Sequence, residues 1–194
     1  MLLSSRPVTS LANAGFVVWF TGLSGAGKTT ISSGARAELE RRGVLVDVLD
    51  GDVVRDHLSK GLGFTKEDRD VNIERIGWVA SRLSRAGVGV LVSAISPYEE
   101  TRRRARAMVE EHALFVEVHV ATPIEECARR DVKGLYEKAF KGEIDHFTGV
   151  SDPYEEPSSP ELRIDTTQHE PGDSARIVLA ELERLGIVPQ EIPA

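Results

Sequence analysis

Residues 16–30 of this chain read FVVWFTGLSGAGKTT, an apolar run that passes through a glycine-rich turn into a segment led by lysine. An uninterrupted apolar run of this kind is typical of a strand that is buried on both faces of a parallel sheet. From Lys28 to Arg42, apolar side chains recur at Ile31, Ala35 and Leu39, which predicts a helix with one buried face. We therefore predict a strand from Phe16 to Thr21, a tight turn and a helix from Lys28 to Arg42 in direct succession.

The turn itself carries a recognisable spacing of glycine, lysine and threonine. It reads Gly22-Leu23-Ser24-Gly25-Ala26-Gly27-Lys28-Thr29 and fits the pattern G-x-x-x-x-G-K-[ST]. Glycines let backbone N–H groups approach phosphate oxygens that a side chain would block, and the following helix directs its positive N-terminus at the same anion. A chance lysine in a glycine-rich turn is the alternative, and the predicted strand and helix on either side argue against it. We predict that ATP binds to these eight residues and Thr30, with Lys28 on the phosphates and Mg²⁺ on Thr29.

The rest of the chain alternates between strand and helix signals. Strands are predicted at 44–49, 88–93, 115–120 and, more briefly, 162–164; helices are predicted at 68–86, 101–111 and 174–185, with one more opened by Pro123. This alternation implies a three-layer α/β/α fold with a mainly parallel central sheet. Residues 133–160, the lid segment, lack a steady apolar period and are interpreted as either disordered or a functional lid. We predict a single domain over residues 1–194, with an N-terminal extension at 1–14.

Composition limits the classes of function. The formal net charge of −7 argues against general binding of nucleic acid, which favours a basic surface. The single cysteine, Cys127, excludes an internal disulfide or a cysteine metal cluster. No apolar run approaches the ~20 residues of a membrane span, and residues 1–13 do not resemble a signal peptide. We therefore expect a cytoplasmic globular protein without membrane or nucleic-acid partners.

Two carboxylates follow the second predicted strand, in the run Leu49-Asp50-Gly51-Asp52. The carboxyl ends of parallel strands face the ligand crevice, where one carboxylate can support a metal ion and another can accept the proton of an attacking hydroxyl. We predict Asp52 as the catalytic base and Asp50 as the metal-supporting residue, beside catalytic Lys28. An Asx-type turn that caps a helix is the alternative explanation for these aspartates.

ATP binding alone does not name a reaction. A GTPase usually carries an N-K-x-D segment, which this chain lacks, and a chain of 194 residues is short for a motor or a transporter. A small-molecule kinase remains. The alternatives are a kinase with a sugar, nucleotide or antibiotic acceptor, and a catalytically silent nucleotide-binding module.

Five segments, in order, resemble the adenylyl-sulfate kinases, which phosphorylate the 3′-hydroxyl of adenosine 5′-phosphosulfate. They are GLSGAGKTT (22–30), LDGDVVR (49–55), LGFTKEDRDVNIERIG (62–77), SAISPY (93–98) and RDVKGLYEKAFKGEIDHFTGVSDPYEEP (130–157). The resemblance extends from about Phe16 to Thr166, and the last two segments are far more specific than the first. Val53 and Ala94 depart from the family, which usually has asparagine and phenylalanine at these positions.

The resemblance implies a set of site residues. The substrate would bind to Asp52, Arg55, Phe64, Arg69, Asn72, Ile95, Ser96, Pro97, Lys133, Gly134, Leu135 and Phe147. Phe64 and Phe147 would sandwich the substrate adenine, although ordinary core packing is their alternative, and Arg130 would lie on the adenine of ATP. Ser96 has been described as a phosphorylated intermediate in some members, but we expect it to bind substrate. The resemblance further implies 3′-phosphoadenylyl sulfate and ADP as products, a role in sulfate assimilation, and a homodimer.

Overall fold

A parallel sheet of five strands crosses the part of the chain that the structure, a computed structural model, describes: residues 15–131 and 133–188. The predicted N-terminal extension, 1–14, lies outside these residues. The strands are β1 (Phe16–Thr21), β2 (Val46–Asp50), β3 (Gly89–Ser93), β4 (Leu114–Val120) and β5 (Leu162–Ile164). Their order is β2-β3-β1-β4-β5, and every pairing is parallel. This order places the turn Gly22–Thr29, which follows β1 and which we call the phosphate-binding loop after its predicted role, at the centre of the carboxyl edge.

Helices cover both faces of the sheet. They are α1 (Lys28–Arg41), α2 (Gly51–His57), α3 (Lys66–Arg85), α4 (Glu99–Glu110), α5 (Ile124–Arg130), α6 (Leu135–Phe140) and α7 (Pro171–Arg184). Alternate residues of β1 enter different cores: Phe16, Val18 and Phe20 pack with α1 and α7, whereas Val17 and Trp19 pack with α3 and α4. This period of two is the geometry of a strand buried on both faces. The predicted α/β/α fold is confirmed.

The remaining predictions differ from the structure mainly in short helices. β1 and β5 have their predicted bounds, and the other predicted strands and longer helices differ from the structure by one to three residues at one or both ends. The sequence missed α2 as a separate element and missed α6, which lies inside the lid segment. These helices span 7 and 6 residues, too few for a helical apolar period to be visible. Pro123 precedes α5 as its N-cap instead of lying in its first turn.

Local capping places the helices that border the carboxyl edge. Asp50 is the N-cap of α2 and accepts a hydrogen bond from the backbone N–H of Asp52 at 3.0 Å. Thr65 caps α3 in the same way, accepting from Asp68 at 3.2 Å. Within the described ranges, none of the helices combines the length and the apolar character needed to cross a membrane.

Candidate active site

A cavity of about 930 Å³ opens at the carboxyl edge of the sheet, and we call it the main cavity. Its walls come from the phosphate-binding loop, α2, the start of α3, the segment after β3 and the lid segment. The predicted residues that line it are Ser24, Gly25, Gly27, Lys28, Thr29, Thr30, Asp50, Asp52, Arg55, Phe64, Arg69, Asn72, Ile95, Ser96, Pro97, Lys133, Leu135 and Phe147. Gly22, Leu23, Ala26 and Gly134 do not line it. Residues from five distant segments are therefore brought to one site.

The backbone of the phosphate-binding loop leaves N–H groups available. Gly27 has φ 108° and is the N-cap of α1, which has no side-chain cap. In the part of the chain that the structure describes, no protein acceptor bonds the N–H groups of Ser24, Gly25 or Gly27. Gly22 has φ 150°, and a Cβ at this position would lie 2.5 Å from the carbonyl oxygen of Val120. Free N–H groups at a helix N-terminus form an anion-binding site.

Lys28 is buried beneath this loop, with 8% of its surface exposed. Its Nζ donates to the carbonyl oxygens of Gly22 at 2.9 Å and Leu23 at 2.7 Å. Burial lowers the pKa of Lys28 to about 8, and the negative charges of Asp50 and Asp52 partly oppose that shift. A bound anion would raise this pKa and favour the charged form of Lys28.

Thr29 and Asp50 form the polar pair where a metal ion was predicted. Thr29 Oγ1 donates to Asp50 Oδ2 at 2.8 Å, while Asp50 Oδ1 holds the α2 N-terminus. The alternative explanation, a helix cap, is therefore correct for Asp50, yet this residue still presents one oxygen beside Thr29. Among residues 15–131 and 133–188, no cluster of three or more His, Cys, Asp or Glu side chains could hold a metal. One hydroxyl and one carboxylate nevertheless suit Mg²⁺, which takes most of its ligands from phosphates and water.

Asp52 extends into the main cavity from the first turn of α2. Its side chain is 72% exposed and forms a short ion pair with Lys133 Nζ from the lid segment. An exposed pair of this kind contributes little to stability, so a substrate can separate it at low cost. The candidate base thus lies where the lid segment meets the rest of the cavity.

Two guanidinium groups surround an exposed aromatic ring. Phe64 is 53% exposed, and the guanidinium carbons of Arg55 and Arg69 lie 4.4 Å and 5.4 Å from its ring centroid. Arg69 is buried; its Nε donates to Phe64 O at 2.9 Å and its Nη2 to His146 O at 2.5 Å. Burial lowers the pKa of both arginines. Within the described ranges, neither arginine forms an ion pair with a carboxylate. Partly buried cations that are not paired with a carboxylate favour an anionic ligand.

Asn72 and Phe147 form the inner wall of the same region. Asn72 is 5% exposed, and its Oδ1 is buried without a hydrogen-bond partner among the described residues. An unpaired acceptor of this kind suits a donor on a ligand. Phe147 packs edge-on against Tyr136, with ring centroids 4.9 Å apart, and belongs to the hydrophobic core. Phe147 therefore both packs in the hydrophobic core and lines the main cavity.

Ser96 is oriented away from a role as nucleophile. It has φ 41° and is 1% exposed. Its hydroxyl accepts from Trp19 Nε1 at 3.0 Å and donates to Ala94 O at 3.3 Å. With the hydroxyl buried and paired in both directions, a contribution through the backbone of this segment is favoured over phosphorylation.

Arg102 supports that segment, although in the sequence it is only a helical arginine one turn after SAISPY. It is 2% exposed and lies outside the cavity lining. Its guanidinium donates to Ser96 O at 2.7 Å, Glu155 O at 2.8 Å and Glu117 Oε1 at 2.9 Å. One buried cation therefore joins the segment after β3 to the end of the lid segment.

A second cavity of about 660 Å³ lies on the other side of the phosphate-binding loop. Gly27, Thr30 and Arg130 line it, together with residues 166–171. Arg130 Nη1 donates to Thr166 Oγ1 at 2.8 Å. The structure thus places Arg130 next to the loop, as expected for a contact with the donor nucleotide, and adds residues 166–171, which the sequence did not indicate.

Comparison with known proteins gives consistent matches over this whole region. The family model described as adenylylsulphate kinase matches residues 14–165. An adenylyl-sulfate kinase of Picosynechococcus is 52% identical over 92% of this chain and 99% of that protein. A probable bifunctional SAT/APS kinase of Sorangium cellulosum is 54% identical over 91% of this chain but only 30% of that protein. The structure of a Mycobacterium tuberculosis APS kinase in complex with AMPPNP and APS superposes with a TM-score of 0.85 and 43% identity, covering 88% of this chain and 98% of that one.

Proposed function

This chain belongs to the adenylylsulphate kinase family, and from that membership we propose that it transfers the γ-phosphoryl group of ATP to the 3′-hydroxyl of adenylyl sulfate. The products are 3′-phosphoadenylyl sulfate and ADP, within sulfate assimilation. One observation supports placing adenylyl sulfate in the main cavity. The guanidiniums of Arg55 and Arg69 flank the exposed ring of Phe64, and neither forms an ion pair with a carboxylate of the described residues. A planar base with an anionic phosphosulfate group matches this combination of a ring and two cations.

ATP binds with its phosphates on the loop and its adenine toward Arg130 in the second cavity. The free N–H groups of Ser24, Gly25 and Gly27 donate hydrogen bonds to the phosphate oxygens. Lys28 leaves the carbonyls of Gly22 and Leu23 and contacts the transferred group, where negative charge spreads in the transition state. Once ATP is bound, these groups are in place before phosphoryl transfer begins, so the transfer step itself needs little reorganisation.

Adenylyl sulfate binds in the main cavity. Its adenine stacks between Phe64 and Phe147, its phosphosulfate bonds to Arg55 and Arg69, and Asn72 Oδ1 accepts a hydrogen bond from the base or the ribose. Asp52 accepts the proton of the 3′-hydroxyl as that oxygen attacks phosphorus. The backbone at Ile95, Ser96 and Pro97 and the lid residues Lys133, Gly134 and Leu135 complete the acceptor site and exclude water, which would compete as acceptor.

We further propose that Mg²⁺ is required, held by Thr29 and Asp50 together with phosphate oxygens. The 2.8 Å hydrogen bond between these side chains places two oxygen ligands side by side. The ion would supply positive charge to the β- and γ-phosphates.

An ADP-release assay tests the proposed function directly. The purified protein is mixed with ATP, Mg²⁺ and adenylyl sulfate, and the rate is compared with AMP, gluconate and shikimate as acceptors and with EDTA in place of Mg²⁺. We expect turnover with adenylyl sulfate and Mg²⁺ alone. Turnover with another acceptor would contradict the acceptor assignment, and no turnover with intact ATP binding would favour a silent nucleotide-binding module.

Replacing Arg69 by alanine tests which substrate the guanidiniums hold. Loss of a charge-assisted contact should raise KM for adenylyl sulfate by about 10- to 100-fold and leave KM for ATP within about twofold. Steady-state kinetics with each substrate varied in turn measure both constants. Arg82→Ala is the matched control, because Arg82 is an exposed arginine on the same helix outside the main cavity. An equal rise in KM for adenylyl sulfate and for ATP in Arg69→Ala would rule out the assignment of Arg69 to the acceptor site.

A homodimer is proposed for the assembly, as the family resemblance implies. Val71 and Trp78 lie seven residues apart on one face of α3. Their side chains are 38% and 60% exposed and offer apolar surface for a second copy of the chain. Sedimentation equilibrium distinguishes a dimer from a monomer, and a Trp78→Glu variant should shift a dimer that uses this face toward monomer. Cytoplasmic location and the absence of nucleic-acid partners stay predictions from the sequence.

A further inference from the structure

Tyr136 touches both halves of the site at once. It lies on α6 in the lid segment and is 2% exposed. Its hydroxyl donates to the carbonyl oxygen of Ser24, in the phosphate-binding loop, at 2.9 Å. Its ring packs against the ring of Phe147, on the wall of the main cavity, with an interplanar angle of 75°. The two ends of one side chain therefore contact the donor loop and the acceptor wall.

A second contact joins the same two segments. Gly149 has φ 90°, and a Cβ at this position would lie 2.9 Å from Cδ2 of Leu23, in the phosphate-binding loop. Gly149 belongs to a tight turn that begins at Phe147, whose carbonyl oxygen accepts from Val150 N at 3.0 Å. Leu23 and Phe147 are part of one hydrophobic cluster. Because packed cores move between discrete arrangements, a change in the loop is transmitted to this turn.

Binding of the donor changes the loop at the residues next to Ser24. Lys28 Nζ bonds the carbonyls of Gly22 and Leu23 in the structure. A phosphate on the loop competes with those carbonyls for the protons of this ammonium group, so donor binding weakens the bonds that hold this part of the loop. The Ser24 carbonyl follows Leu23 directly and bonds to Tyr136, so this change acts on the hydroxyl of Tyr136 first.

We propose that Tyr136 couples the two substrates: donor binding fixes the Ser24 carbonyl, Tyr136 follows it, and its ring holds Phe147 in the position that receives the acceptor base. The proposal rests on the proposed function, because it takes the main cavity as the acceptor site. Tyr136 is a positioning residue in this scheme and contacts neither reacting atom. Coupling of this kind is reciprocal, so each substrate strengthens the other by the same factor.

Calorimetry of adenylyl sulfate binding measures the coupling. The Kd is determined with and without saturating AMPPNP and Mg²⁺, and the ratio of the two values is the coupling factor. We expect wild-type protein to bind adenylyl sulfate about tenfold more tightly with AMPPNP present. Tyr136→Phe removes the hydroxyl and keeps the ring, so the factor should fall to about one while Kd without nucleotide changes less than about threefold.

Phe140→Leu is the control on the same helix, because Phe140 is 61% exposed and its ring also lies near Tyr136, at 6.1 Å between centroids. The Phe140→Leu variant should keep the wild-type coupling factor. A general loosening of α6 would lower the coupling factor in this variant as well as in Tyr136→Phe. A wild-type factor of one, or an unchanged factor in Tyr136→Phe, would overturn the coupling. No binding of adenylyl sulfate by the wild-type protein would instead overturn the proposed function, so the two failures are distinguishable.

Discussion

Replacing Lys28 by alanine is expected to reduce kcat with adenylyl sulfate by about 10³-fold or more. Removal of a single neutral donor from a developing charge costs about 10²- to 10³-fold in kcat, and a buried ammonium is a stronger donor. Lys28 combines full burial with a position at the first turn of the helix that receives the phosphates. Quenched-flow measurement of ADP formation at saturating substrates separates this loss in chemistry from product release.

Lys60→Ala provides the comparison, since Lys60 is an exposed lysine outside both cavities. This variant should turn over as the wild-type protein does. Turnover of Lys28→Ala near the wild-type rate would refute the assignment of the loop to the transferred phosphate. Thermal unfolding of both variants shows whether a loss of rate reflects a loss of fold.

The depressed pKa of Lys28 adds a measurement that does not depend on turnover. With a pKa of about 8 in the nucleotide-free protein, Lys28 is partly deprotonated at a slightly higher pH. A bound triphosphate favours the charged form and raises this pKa, so binding must take up protons there. Calorimetry of AMPPNP binding in buffers of different ionisation enthalpy detects that uptake, and Lys28→Met should abolish it.

Strong local signals account for the parts of the fold that the sequence predicted. The run from Phe16 to Thr29 combines an apolar strand, a glycine turn and a lysine at a fixed spacing, and each feature restricts the backbone independently. The structure accordingly reproduces β1 without any shift. Asp50 shows the limit of local inference: the same side chain caps α2 and reaches Thr29, so the structural and metal-binding interpretations are compatible.

The acceptor site could not be found from local pattern. Arg55, Arg69 and Phe147 lie on three segments, and nothing in their spacing shows that two cations share a cavity without a carboxylate partner. The resemblance to a family supplied these residues. It did not supply Arg102 or Tyr136, because their importance lies in buried hydrogen bonds to the carbonyls of Ser96 and Ser24, which only the tertiary structure reveals.

Replacing Asp52 by asparagine is expected to lower kcat by about 10²- to 10⁴-fold, the range for loss of a general base. The side chain is 72% exposed and lines the main cavity. Among the described residues, its carboxylate is bonded only to Lys133, and a substrate can displace that exposed ion pair. Asparagine keeps the shape and removes the proton acceptor. KM for adenylyl sulfate should therefore change by less than about threefold while kcat falls.

Asp56→Asn makes the same chemical change on the same helix at an exposed residue outside the main cavity, and it should leave both constants unaltered. Lys133→Met tests the contribution of the ion pair independently of the base. This variant removes the partner of Asp52 but keeps the carboxylate, so its kcat should exceed that of Asp52→Asn by at least about tenfold. A loss confined to KM in Asp52→Asn would make this residue a binding group. Equal losses of kcat in Asp52→Asn and Lys133→Met would instead indicate that the pair acts through closure of the lid segment, because the carboxylate alone would then be insufficient for proton transfer.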